Sequence, residues 1–168
     1  MATLRRIMAF ASLAAVTACG TTSPSGGRPC TAIGSREGVG LDIRAPDAAR
    51  VDSATMTICW NGTCRTSRVE LTASSAAVPG ECPDGPPDGV CGASASPTGD
   101  KNGFADVQGL PKAPVKVTVD LRDAAGDRVL RRTLDVTPHA TYPNGRKCGE
   151  GRPQAQLTLA GGRLSVRR

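Results

Sequence analysis

The 168-residue chain sets 21 Lys and Arg against 15 Asp and Glu, for a net charge of +6, and holds only one Trp, one Tyr and two Phe. The length suits one domain. A mild basic excess without a dense Lys/Arg stripe or interleaved rings argues against nucleic-acid binding, and so few rings argue against a platform that stacks sugars on several aromatics.

In chain order, Arg5 and Arg6 precede a largely apolar run from Ile7 to Ala18, closed by Val16-Thr17-Ala18-Cys19-Gly20. A basic start, a short greasy middle and small residues at the exit predict a secretory signal peptide over residues 1–18. Twelve helical residues reach roughly 18 Å, too short for a hydrocarbon core of about 30 Å. The small residues before Cys19 resemble a bacterial lipobox, which implies that Cys19 is diacylated and becomes the mature N-terminus. Two acyl chains anchor firmly where one is marginal. The competing reading is an ordinary cleaved leader, with Cys19 in a disulfide. Cysteine parity favours the lipid: of seven cysteines, setting Cys19 aside leaves Cys30, Cys59, Cys64, Cys82, Cys91 and Cys148. In an oxidising compartment six such residues form a disulfide framework. The expected location is therefore the extracytoplasmic face of the cell membrane.

Without Arg5 and Arg6, 19 basic residues face 15 acidic ones, a net charge of about +4. Residues 20–29 carry no large apolar side chain, so 19–29 is expected to be a flexible tether. The β-sandwich domain is then assigned to residues 30–168. Val39, Leu41 and Ile43 alternate with small or polar residues. Ala54, Met56, Ile58 and Trp60 do the same, as do Val115, Val117, Val119 and Leu121. A period of two predicts half-buried strands. Val129 to Val136 and Leu157 to Val166 continue the pattern, the latter turning at Gly161-Gly162. Turn signals at Ala45-Pro46-Asp47, Asn61-Gly62, Asp123 to Gly126 and Pro143-Asn144-Gly145 separate the strands and predict an antiparallel sandwich or barrel, of which the sandwich is the expected fold. From residue 72 to 111 the alternation stops. That Gly-, Pro- and Ser-rich stretch is expected to be a long irregular loop, apart from a short strand at Phe104 to Val107.

Cys59-Trp60-Asn61-Gly62-Thr63-Cys64 is the most specific local feature. Asn-Gly suits a type I′ turn, which makes Cys59 and Cys64 a non-hydrogen-bonded pair with Cα atoms about 4.5 Å apart, near enough for a disulfide. Trp60 shares a face with Met56 and Ile58, so the bridge is expected on the opposite, outer face. Cys82 and Cys91 bracket a doubled Pro-Asp-Gly turn and pair next. Elimination leaves Cys30 with Cys148, although six cysteines allow fifteen pairings. A zinc reading is weak, because there is no Cys-x-x-Cys and His139 is the only histidine. No metal or other cofactor is expected. Asn61-Gly62-Thr63 matches a glycosylation sequon, discounted beside a bacterial lipobox.

Catalytic patterns are sparse. There is no Gly-x-Ser-x-Gly and no Ser-x-x-Lys. Asp84, Asp88, Asp100 and Asp106 fall in sequences where turns explain the Asp. Asp100-Lys101-Asn102-Gly103 fails as a calcium loop, since the later ligand positions hold Phe104 and Pro111. Arg131, Arg132, Arg163, Arg167 and Arg168 suit solvated strand edges, with anionic headgroups or wall polymer as the sharper alternative.

Over residues 30–166 the chain resembles small actinobacterial, streptomycete-type lipoproteins with an immunoglobulin-like sandwich, most of them without assigned function. The resemblance rests on Ile33-Gly34 before Gly38-Val39, on Thr57-Ile58-Cys59 with Thr63-Cys64, on Val117-Thr118-Val119 through Gly126, and on Pro143-Asn144-Gly145 before Cys148. Relatives often carry a cysteine where Ser35 stands. The expected protein is a lipid-anchored, non-catalytic binding or structural module of the cell envelope, with membrane lipid and a protein or wall polymer as partners. A cell-envelope hydrolase is the rival reading.

Overall fold

Alternation decides the strands. In the computed structural model, residues 30–80 and 92–167 are described; the leader, Cys19, the tether, Cys82, Cys91, Asp84 and Asp88 lie outside the described residues. The strands are β1 (Gly38–Ile43), β2 (Ser53–Trp60), β3 (Thr63–Val69), β4 (Thr72–Pro79), β5 (Ala93–Asp106), β6 (Val115–Arg122), β7 (Arg128–Val136), β8 (His139–Ala140), β9 (Pro153–Ala160) and β10 (Arg163–Arg167). Short 3-10 turns occupy Asp47–Arg50 and Arg146–Cys148, and no α-helix occurs among the described residues.

Two sheets form a sandwich-like arrangement. One runs β10-β9-β1-β5-β4, with β8 also on β9; the other runs β3-β2-β6-β7. The pairing is antiparallel except between β1 and β9, which run parallel. Between the sheets lie Val39, Leu41 and Ile43 of β1, Met56 and Ile58 of β2, Val117, Val119 and Leu121 of β6, and Leu157 of β9, all fully buried. Each set keeps the period of two that puts alternate side chains on one face.

The Asn61-Gly62 turn has the positive φ values of 48° and 74° that a type I′ hairpin needs. It sets Trp60 opposite Thr63 and Cys59 opposite Cys64. Cys59 and Cys64 form the expected disulfide, with Cα atoms 4.0 Å apart. Their strand neighbours Met56 and Ile58 face the core while Cys64 is exposed, so the bridge sits on the outer face. Cys30 and Cys148 are disulfide-bonded as well. Gly161 and Gly162 turn β9 into β10, both at positive φ.

The stretch from 72 to 111 corrects the sequence reading. Where an irregular loop was expected, β4 and β5 pair as a hairpin from Thr72–Asn102 to Pro79–Ala93, with a register shift between Ala73 and Ser75. Periodicity was silent because residues 75–79 and 93–97, Val78 included, are exposed on both sides, so no face selects apolar residues. The second half of β5 is held by β1, from Gly38–Asp106 to Ile43–Lys101. Asp100 and Asp106, expected in turn sequences, are accordingly strand residues of β5.

Candidate functional site

A polar trough crosses the outer face of the larger sheet. Its floor is β1, whose alternation turns Val39, Leu41 and Ile43 inward and leaves Gly38, Gly40 and Asp42 outward. Register sets Gly40 between Phe104 and Gln156, Gly38 between Asp106 and Gln154, and Asp42 between Asn102 and Thr158. Neighbouring side chains fill the space the glycines leave. A Cβ on Gly40 would come within 1.9 Å of Gln156 Oε1, and one on Gly38 within 2.8 Å of the Phe104 ring. Both glycines are needed for side chains from the flanking strands to lie flat across the floor.

Arg36 caps this layer. Its guanidinium lies 4.3 Å from the Phe104 ring centroid. Its Nε donates to Asp106 Oδ1 at 2.9 Å, and its Nη2 donates to Asp106 Oδ2. The paired Arg36 holds the Asp106 carboxyl below its ordinary range. Gln154 donates to the Arg36 carbonyl at 2.7 Å, which ties the backbone of that segment to β9. On the far side, Arg167 Nη1 reaches Asp42 Oδ2 at 3.4 Å. Asn102 donates to Ser74 Oγ at 2.8 Å, which fixes its amide against the root of the β4–β5 hairpin. The hollow holds about 540 Å³, and Glu70, Thr72 and Gly103 complete its wall.

A second hollow of about 540 Å³ adjoins it past the Arg36–Asp106 pair, lined by Ser35, Glu37, Asp106, Gln108, Gly109 and Arg152. Glu37 is turned inward to accept from the Leu110 backbone N–H at 2.7 Å, and Arg152 stands 3.6 Å from its other oxygen. Ser35 Oγ accepts the Arg152 N–H at 2.7 Å. The arrangement is a run of donors and acceptors, those of the first hollow mostly on paired strands and those of the second mostly in the connections beside them. It can hold a polar chain by hydrogen bonds.

The outer face of the smaller sheet is different. Register aligns Thr66, Thr57, Thr118 and Thr133 in one row across its four strands. Thr57 and Thr66 are hydrogen-bonded at 3.0 Å, and Thr118 and Thr133 at 2.8 Å. Beside that row Asp120 sits among Arg122, Arg128 and Arg131 at 3.3, 3.2 and 3.4 Å.

The other acidic and histidine candidates are separated. Asp100 accepts the Ala45 N–H at 2.8 Å and pairs with Arg44 at 2.7 Å, and these two bonds hold its carboxyl below the ordinary range. His139 is exposed on β8, opposite Gln154. Among the described residues no three of His, Cys, Asp and Glu are grouped to hold a metal ion. The trough itself was missed from sequence. Gly38-Val39-Gly40 in an alternating strand and Gln154-Ala155-Gln156 in another were its signals, but only register brings them together.

These features define the class: an all-β, disulfide-bonded sandwich with one polar outer face hollowed over glycines. No family model, curated protein or solved structure matches the chain.

Proposed function

We propose that the protein is a lipid-anchored, non-catalytic binding module on the extracytoplasmic face of the cell membrane, tethered through acylated Cys19. The observation that carries the binding role is the trough, whose polar groups are mounted on paired strands and braced by Arg36, Asp106, Gln154 and Asn102. A site on rigid elements recognises a partner without ordering a loop first. Oxidised Cys59 and Cys64 support a location outside the reducing cytoplasm. No helix among the described residues is long and apolar enough to cross a membrane. The anchor is assigned to lipid on Cys19 because Val16-Thr17-Ala18-Cys19-Gly20 resembles a lipobox, and residues 19–29 would carry the domain away from the bilayer. The partner is expected among components of the cell envelope, and nucleic acid is not expected among them.

Inhibition of lipoprotein signal processing, or Cys19→Ala, tests the anchor. The expected outcome is release of the protein from the membrane fraction, or accumulation of an unprocessed precursor. Membrane association at unchanged mass in Cys19→Ala would contradict the reading.

A further inference from the structure

We infer that the trough binds an uncharged oligosaccharide chain, a ligand class that deepens the binding role just proposed and rests on it. Charge is the first argument. The two hollows together carry three arginines and four carboxylates, and every arginine already faces a carboxylate: Arg36 with Asp106, Arg167 with Asp42, Arg152 with Glu37. A phosphate or carboxylate ligand would have to displace these partners, whereas a neutral one leaves them intact.

Hydrogen-bonding capacity is the second argument. Sugar hydroxyls donate and accept at once, so they suit surfaces where donors and acceptors alternate at short range. The Gln156 and Asn102 amides and the Arg–carboxylate pairs provide that alternation along the floor. Ser35 and Gln108 continue it into the second hollow. Arg36 lines one hollow and its partner Asp106 the other, which gives a polymer of several sugar units more than one place to bind. Stacking on several rings is not the mode here, because Phe104 is covered by Arg36.

A peptide fits less well. Peptides gain affinity by adding to an open strand edge or by burying apolar anchors. β1 is paired on both edges, by β5 and β9, so its backbone is already used. The single apolar ring in the trough is the one Arg36 covers.

The test uses the purified full-length protein in detergent micelles with its disulfides intact. Calorimetric or NMR titration is run with a hexamer of N-acetylglucosamine and with maltohexaose, one chain bearing amides and one without, and with an anionic polyphosphate. Saturable binding of either sugar, weakened at least about tenfold by Gln156→Ala or Asn102→Ala at unchanged melting temperature, is the expected result. Which sugar binds tells whether the ligand carries amides. Gly40→Ser, which raises the floor, provides a second variant and is expected to weaken binding similarly. No saturation by either sugar, wild-type affinity in both amide variants, or salt-sensitive binding of polyphosphate alone would overturn the inference. None of these outcomes bears on whether Cys19 is acylated, so failure of the ligand assignment stays distinct from failure of the anchor.

Discussion

Asp47 shows how one side chain joins distant parts of the sandwich. It lies in the turn after β1, is 3 % exposed, and accepts the Gly162 N–H at 2.8 Å and an Arg50 guanidinium N–H at 2.7 Å. The backbone bond from Gly162, then Arg50, holds its carboxyl below the ordinary range. A carboxyl whose pKa is lower folded than unfolded contributes fully above its unfolded value, about 4. That contribution is lost as pH falls through the folded value. Stability is therefore expected to decline below about pH 4, and Asp47→Asn to be less stable at pH 7 and to show a shallower acid decline, read from urea melts across pH. A decline of equal slope in the variant would remove Asp47 from this role. Asp100, Asp106 and Glu150 are lowered as well, so part of the slope remains. Gly38 makes a steric prediction. At φ 152°, a Cβ there would stand 1.9 Å from the Ala105 carbonyl oxygen. Gly38→Ala is expected to cost roughly 1–3 kcal/mol in chemical denaturation, as overpacked sites do.

At the scale of elements, the β2–β3 hairpin was legible because three signals agree: alternation, Asn61-Gly62, and two cysteines at matching offsets. Replacing both Cys59 and Cys64 by Ser is expected to lower stability by about 2 kcal/mol, the chain-entropy value for so short a loop, measured by urea denaturation. The β4–β5 hairpin was not legible. Ala, Ser, Gly and Pro give no period, and what makes 93–99 a strand lies elsewhere in the chain, where β1 fixes the other half of β5. Such a ribbon has little buried apolar area to protect it. Hydrogen exchange is accordingly expected to be faster at 75–79 and 93–97 than at 102–105, by at least about tenfold. Edge strands β3 and β7 offer a further reading of the arginines. Arg65 stands opposite Ile58 and Arg132 opposite Val119, on the core-facing side of each edge strand, where a charge discourages another sheet from docking. Arg132→Val is expected to promote concentration-dependent association in sedimentation.

For the whole molecule, the core is aliphatic: the fully buried large side chains are Leu, Ile, Val and Met, with Trp60 only packed against the margin. Leu121, fully buried on central β6, tests it; Leu121→Ala is expected to cost about 2–5 kcal/mol. The sandwich was readable from β2, β6 and β9 because each has one buried face. The parallel β1–β9 pairing was not, since alternation in a single strand says nothing of its neighbour's direction. The trough was hidden for the same reason. Gly40, Phe104 and Gln156 lie far apart in sequence and meet only through two registers.

The central claim, an exported domain hung from lipid on Cys19 with its remaining thiols consumed, is tested most directly by intact-mass and peptide-mapping mass spectrometry of protein extracted from native membranes. The account predicts a chain that begins at Cys19, carries a diacylglycerol mass, and has Cys30, Cys59, Cys64, Cys82, Cys91 and Cys148 all oxidised. A chain retaining residues 1–18, or one with alkylatable sulfhydryls before reduction, would contradict it.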